Sequence, residues 1–167
     1  MNIIIGIDPG INGAIAEIDV DTGELLRISD MPTLVGEGAK NRRAVNAPLL
    51  AQIIFNSHAT HAYCELVGPR PTDGIVGAFG FGRSKGIVEG ICAAAGLPLT
   101  FIAAPVWKRN ANIPAGKENK DIARSRAISR WPSQASLFTR KGDIDRAEAC
   151  LIAISGILNI RANGLAL

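Results

Sequence analysis

Asn2-Ile3-Ile4-Ile5-Gly6-Ile7-Asp8-Pro9-Gly10 is a nearly continuous β-branched run that stops at an Asp-Pro-Gly turn signal. Such a run reads as a buried central strand, and the turn places Asp8 at its C-terminal end. Residues 13–20 then read as a second strand, Asp21-Thr22-Gly23-Glu24 as a turn and residues 25–31 as a third strand, which makes the opening an antiparallel meander. Residues 36–43 are polar, glycine-containing and basic, and predict a mobile loop. Asn46 follows as the cap of a helix that carries Leu49, Leu50, Ile53 and Ile54.

Residues 61–67 form a short predicted strand carrying Glu65, ended by Gly68-Pro69-Arg70-Pro71, whose prolines cannot continue it. A helix over residues 74–95 leads into a strand over 97–104. Residues 117–131 read as a helix with one basic face, Lys117, Lys120 and Arg124, broken at Pro132, and a last helix covers 144–160. The predicted fold class is α/β: a five-stranded mixed sheet flanked by helices on both faces, in one domain spanning residues 1–167.

Composition agrees with that architecture. A chain of 167 residues with 47% hydrophobic and 20% charged content buries a sizeable core, which excludes disordered and fibrous classes. Glu89, Pro98 and Pro105 interrupt the most apolar stretch, so no run reaches the roughly 18–20 residues of a membrane span. No secretory signal is visible at the N-terminus. Cys64, Cys92 and Cys150 lie in apolar runs without metal-like pairing, which suits a reduced cytoplasm. The formal charge of +3 is unevenly spread: residues 1–100 hold 7 Lys/Arg against 10 Asp/Glu, net −3, and residues 101–167 hold 11 against 5, net +6. That asymmetry suits a polyanionic partner, although charge alone favours the plainer reading of a solvated surface.

Four acids stand where chemistry could use them. Asp8 ends the first strand and Glu65 lies in the fourth, and the two are neighbours if those strands pair in parallel, as a short helical crossover favours. Asp145 and Glu148, three apart at the start of the last helix, project from one face. Four converging carboxylates repel unless divalent cations neutralise them, and hard oxygen ligands suit Mg²⁺ or Mn²⁺. Two such ions are the usual clamp for in-line phosphodiester hydrolysis. Each acid also has a plainer reading: Asp8 as the start of a turn, Asp143 as a helix cap, Glu148 as a first-turn acid. Gly80-x-Gly82-x-x-x-Gly86 has one residue too many for a dinucleotide fingerprint and reads as close helix packing. His58 and His61 lack a third ligand at metal spacing, and Ser84 and Ser125 lack a nucleophile signature.

Gly6-Ile7-Asp8-Pro9-Gly10, Cys64-Glu65 closing a strand, Pro105-Val106-Trp107-Lys108 after the fifth strand and Asp145-Arg146-Ala147-Glu148-Ala149 opening the last helix together resemble the RuvC-type Holliday junction resolvases. The likeness is to their phage-like branch especially, and it runs over nearly the whole chain. It implies a ribonuclease H-like fold, a homodimer, and symmetric Mg²⁺-dependent nicks across a four-way DNA junction. By the same resemblance, Asp8, Glu65, Asp145 and Glu148 match the metal-binding acids, and Lys108 and Lys120 match basic positions near the scissile phosphate. The lysines belong to the basic C-terminal portion, with Lys117, Arg140 and Lys141, where phosphate contacts would give salt-dependent affinity.

The chain departs from that family pattern at three places. Bacterial members end the last motif with aspartate, where this chain has Glu148. Asp143 competes with Asp145 for the third ligand position, and the i, i+3 spacing to Glu148 selects Asp145. The aromatic that bacterial members place after the second acid has no match in Gly68-Pro69-Arg70; Phe79 or Phe81 could replace it, although a core role is favoured for both. Competing classes are a nuclease acting on RNA/DNA hybrids and a non-catalytic junction-binding protein. Apolar faces on the helices near 46–57 and 74–95 are candidate dimer surfaces.

Overall fold

The computed structural model describes residues 2–35, 42–68, 72, 74–114, 116 and 121–162. Its main sheet has five strands, β1 (Ile3–Ile7), β2 (Ala14–Asp19), β3 (Leu25–Asp30), β6 (His61–Leu66) and β7 (Leu99–Ala103), in the order β3-β2-β1-β6-β7. β1 pairs antiparallel with β2 and parallel with β6; β2–β3 is antiparallel and β6–β7 parallel. The isoleucine-rich opening is therefore the central strand, and the sheet is mixed as its sequence predicts.

Alternation along β1 builds two cores. Ile5 and Ile7 face a layer formed by Leu50 and Ile54 of α1 (Ala47–Asn56) and Val88 and Cys92 of α2 (Ile75–Ala94). Ile4 faces the other layer, with α4 (Ile122–Arg130) and α5 (Ile144–Ala162). Gly6 lies on this second face, and a Cβ there would stand 2.1 Å from the Ala149 carbonyl oxygen and 2.6 Å from the Ala153 nitrogen. Only glycine lets the α5 backbone come this close to the sheet. Gly156 acts likewise against Tyr63, whose ring would lie 2.2 Å from an added Cβ. The start of α5 is also tied to the end of β3, where Arg146 makes a two-pronged pair with Asp30 at 2.5 and 2.7 Å.

Several elements differ from the sequence reading. β4 (Thr33–Val35) and β5 (Arg43–Val45) form a small antiparallel ladder at the edges of the stretch read as a loop, whose residues 36–41 lie outside the described residues. A short helix, α3 (Ala104–Asn110), starts directly on the end of β7, with Pro105 in its first turn, where a missing N–H costs nothing. The helix expected over 117–131 is described only as α4, and Lys117 and Lys120 lie outside the described residues. A 3₁₀ segment, Pro132–Phe138, and a single turn, Lys141–Asp143, connect α4 to α5.

Two expectations about α2 are overturned. A Cβ at Gly80, Gly82 or Gly86 would meet nothing within 4 Å, so these glycines pack closely against no described part of the chain. Phe79 is 74% exposed and is not a core residue, because the N-terminal half of α2 turns it outward together with Ile75 and Val76. Among the described residues no helix is long and apolar enough to cross a membrane.

Candidate metal centre

Three carboxylates meet beside the C-terminal end of β1. Asp8 follows the strand directly, and the first turns of α5 bring Asp145 and Glu148 to it, so that oxygens of the three groups all lie within 4.8 Å of one another. The glycine at position 6 is the reason for this convergence, since the α5 backbone touches β1 at Ala149, one residue beyond Glu148. Two oxygens bound to one Mg²⁺ at about 2.1 Å lie at most about 4.2 Å apart, close to the 4.8 Å within which these oxygens fall.

The electrostatics favour such a cation. Burial first, then the charges of Asp145, Glu148 and Glu65, push the Asp8 carboxyl up to about 8. The Gly10 N–H, donating to Asp8 Oδ1 at 3.3 Å, offsets only part of this. An ion of +2 charge would offset the repulsion among these acids and favour the ionised Asp8 carboxylate.

Glu65 lies one position beyond the Ile7–Cys64 register pair of β1 and β6 and opposite Ile102 of β7. It is not among the oxygens within 4.8 Å of each other. Its Oε1 accepts a hydrogen bond from the indole N–H of Trp107 on α3 at 3.2 Å, while its charge still acts on Asp8. Lys108 follows on the same helix and holds its Nζ 5.1 Å from the centroid of the Trp107 ring. The structure thus gathers Asp8, Asp145 and Glu148 tightly, with Glu65 and Lys108 connected through Trp107.

Asp143 sits elsewhere in the network. It is buried, and its carboxylate accepts from Arg140 Nε and Nη2 at 3.1 and 2.9 Å and from the Arg140 backbone N–H at 2.8 Å, with Arg146 3.5 Å away. Burial alone would raise its pKa, but the hydrogen bonds and charge of Arg140, with the charge of Arg146, hold it below the usual carboxylate value. Asp143 closes the turn that leads into α5. Arg140 spends its guanidinium on that turn yet keeps a 71% exposed side chain, and Lys141 is exposed. His61 opens β6 at the end away from Glu65 and meets Thr100 Oγ1 at 2.8 Å.

Sequence reasoning missed two residues at this centre. Trp107 stood in a quoted motif without a role, although a buried indole N–H demands an acceptor. Arg146, which joins Asp30, Asp143 and the Leu137 carbonyl, gave no local signal. It also missed a cleft of about 800 Å³ beyond the β1 turn, lined in part by Ile11, Arg42, Arg43, Phe79 and Arg83.

No protein-family model and no curated protein matches the sequence. Among solved structures the chain is similar to Thermus thermophilus RuvC in complex with a Holliday junction substrate, with a TM-score of 0.66, 18% identity and coverage of 97% of this chain and 96% of that one. A second structure of Thermus thermophilus RuvC matches with a TM-score of 0.63 at 18% identity, covering 96% of each chain. At this identity the likeness is one of fold: the chain shares the fold of RuvC over 97% of its length.

Proposed function

We propose that this chain is a divalent-cation-dependent endonuclease that resolves four-way DNA junctions as a homodimer. The observation that carries this reading is the convergence of Asp8, Asp145 and Glu148 at the end of the central strand, in a chain whose fold is that of RuvC, one of whose structures holds a Holliday junction. Asp8, Asp145 and Glu148, with Glu65, would hold Mg²⁺ or Mn²⁺. When bound, such ions supply activation of the attacking water and neutralisation of charge on the leaving 3′ oxygen.

The chain's own residues supply the rest. Asp8, at the centre of the acidic group and backed by the rigid sheet, fixes the position of the acids relative to the phosphate. Lys108, on α3 beside Trp107, would hold a phosphate oxygen, and Lys120 is assigned the same task through the family resemblance. Arg140 and Lys141 on one side, and Arg42, Arg43 and Arg83 around the neighbouring cleft, offer cations for the DNA backbone; Lys117 joins the first group by its place in the sequence. Such contacts position a duplex arm without reading its bases.

The decisive experiment is nicking of an end-labelled synthetic four-way junction, beside a linear duplex and an RNA/DNA hybrid of the same sequence, with Mg²⁺ or with EDTA. Symmetric cuts confined to the junction and dependent on Mg²⁺ are expected. Asp8→Asn should abolish the cuts and keep junction binding. Preferential cleavage of the hybrid would move the protein to a ribonuclease reading, and junction binding without cuts would leave an architectural one.

A further inference from the structure

The two tryptophans of the chain use their indole N–H groups differently. Trp131 donates to the Gly23 backbone carbonyl at 3.0 Å, an ordinary way to satisfy a buried donor. Trp107, fully buried, instead donates to the carboxylate of Glu65 at 3.2 Å. Indole is a donor only, so Glu65 Oε1 is the acceptor of this bond. The opposite character of the ring is also in use, because the Lys108 ammonium stands 5.1 Å from its centroid, within reach of a cation–π contact.

We infer that Trp107 is a positioning residue for the proposed cation site, orienting Glu65 through its N–H and Lys108 through its ring. The inference rests on the reading of the acids given above and assigns a role within it. α3 makes the arrangement possible. It begins on the last residue of β7, the neighbour of β6, and this brings Trp107 over the strand that carries Glu65. The bond to Oε1 restrains rotation of the Glu65 carboxylate and leaves Oε2 outside that bond. Partners of this kind, which hold ligands and do not themselves touch the ion, commonly control its affinity. A core tryptophan without such a role would tolerate loss of its N–H with no consequence for cation binding.

Trp107→Phe keeps an aromatic ring, most of the packing and a face for Lys108, and removes the donor. Mn²⁺ affinity of the full chain, read by electron paramagnetic resonance, should fall about 10- to 100-fold in this variant, and by a comparable factor in Glu65→Gln. The double variant should bind no more weakly than Glu65→Gln alone, since Trp107 acts through Glu65. Unchanged affinity in Trp107→Phe, or losses that multiply in the double variant, would overturn the inference. A second readout needs no variant: Mg²⁺ should shift the indole N–H resonance of Trp107 and leave that of Trp131 in place. Mg²⁺ binding that leaves the Trp107 resonance unmoved would sink the positioning role alone, whereas absence of both cation binding and cleavage in the unaltered chain would sink the nuclease reading with it.

Discussion

Asp8 is held where a carboxylate is poorly stabilised as an anion, with the sheet behind it and three other acids acting on it. Its folded pKa of about 8 stands above the unfolded value, so folding favours the protonated acid. The resulting contribution to stability is complete below about pH 4 and is lost as pH rises through about 8. Metal-free protein should therefore lose melting temperature across this window. Mg²⁺, or the neutral isostere Asp8→Asn, should flatten the decline, each kcal/mol corresponding to roughly 2–4 °C at this chain length. A melting temperature indifferent to both would contradict the charge crowding at Asp8. The open choice between Asp143 and Asp145 is decided by two further variants. Asp143 runs in the opposite sense: although buried, it is held below its ordinary pKa by Arg140 and Arg146, so its stabilisation is present above the unfolded value and lost as pH falls. Asp143→Asn should cost about 2 kcal/mol, the scale of hydrogen bonds to a charged group, and leave Mn²⁺ binding intact. Asp145→Asn should instead abolish Mn²⁺ binding.

At the level of elements, glycine separates contact from exposure. An added Cβ at Gly6 would collide with the α5 backbone, so Gly6→Ala should push that helix, with Asp145 and Glu148, away from Asp8. A loss of about 1–3 kcal/mol and weakened Mn²⁺ binding are expected together, measured by denaturation and titration. Gly82→Ala, in the interior of α2 with open space around it, should instead stabilise the isolated chain by about 0.5–1 kcal/mol. The same contrast bears on what the sequence could reveal. The run ending at Asp8 and the i, i+3 pair Asp145 and Glu148 are readable because each sits at the end of an element whose periodicity is local. β4 and β5 are three residues each, too short for an alternation to declare itself. α3 abuts β7 without an intervening loop and so merges with the strand in a linear reading. The glycines of α2 carry the composition of a packed helix face, but composition does not reveal whether the surface packed against belongs to this chain. The links that complete the centre join Trp107 to Glu65 and Arg146 to Asp30 across 42 and 116 positions, separations over which no sequence period runs.

For the whole molecule, the acidic cluster and the basic surface must be considered as one field. The formal charge is +3, but four acids neutralised by two divalent ions would raise the effective charge to about +7. A polyanion approaching the cation-free centre meets the repulsion of Asp8, Asp145 and Glu148 as well as the attraction of the surrounding lysines and arginines. Junction binding should therefore be tighter in Mg²⁺ than in EDTA at matched ionic strength, measured with a junction protected from cleavage by phosphorothioate linkages. Asp8→Asn in EDTA should recover part of that gain, because it removes one of the repelling charges without needing an ion. The logarithm of affinity should fall linearly with the logarithm of salt concentration, and Lys108→Ala should reduce the slope by about one if its ammonium meets a phosphate. Affinity that ignores both the divalent ion and Asp8→Asn would mean that DNA does not pass over the acids, and the basic surface and the acidic centre would then have to serve different ligands.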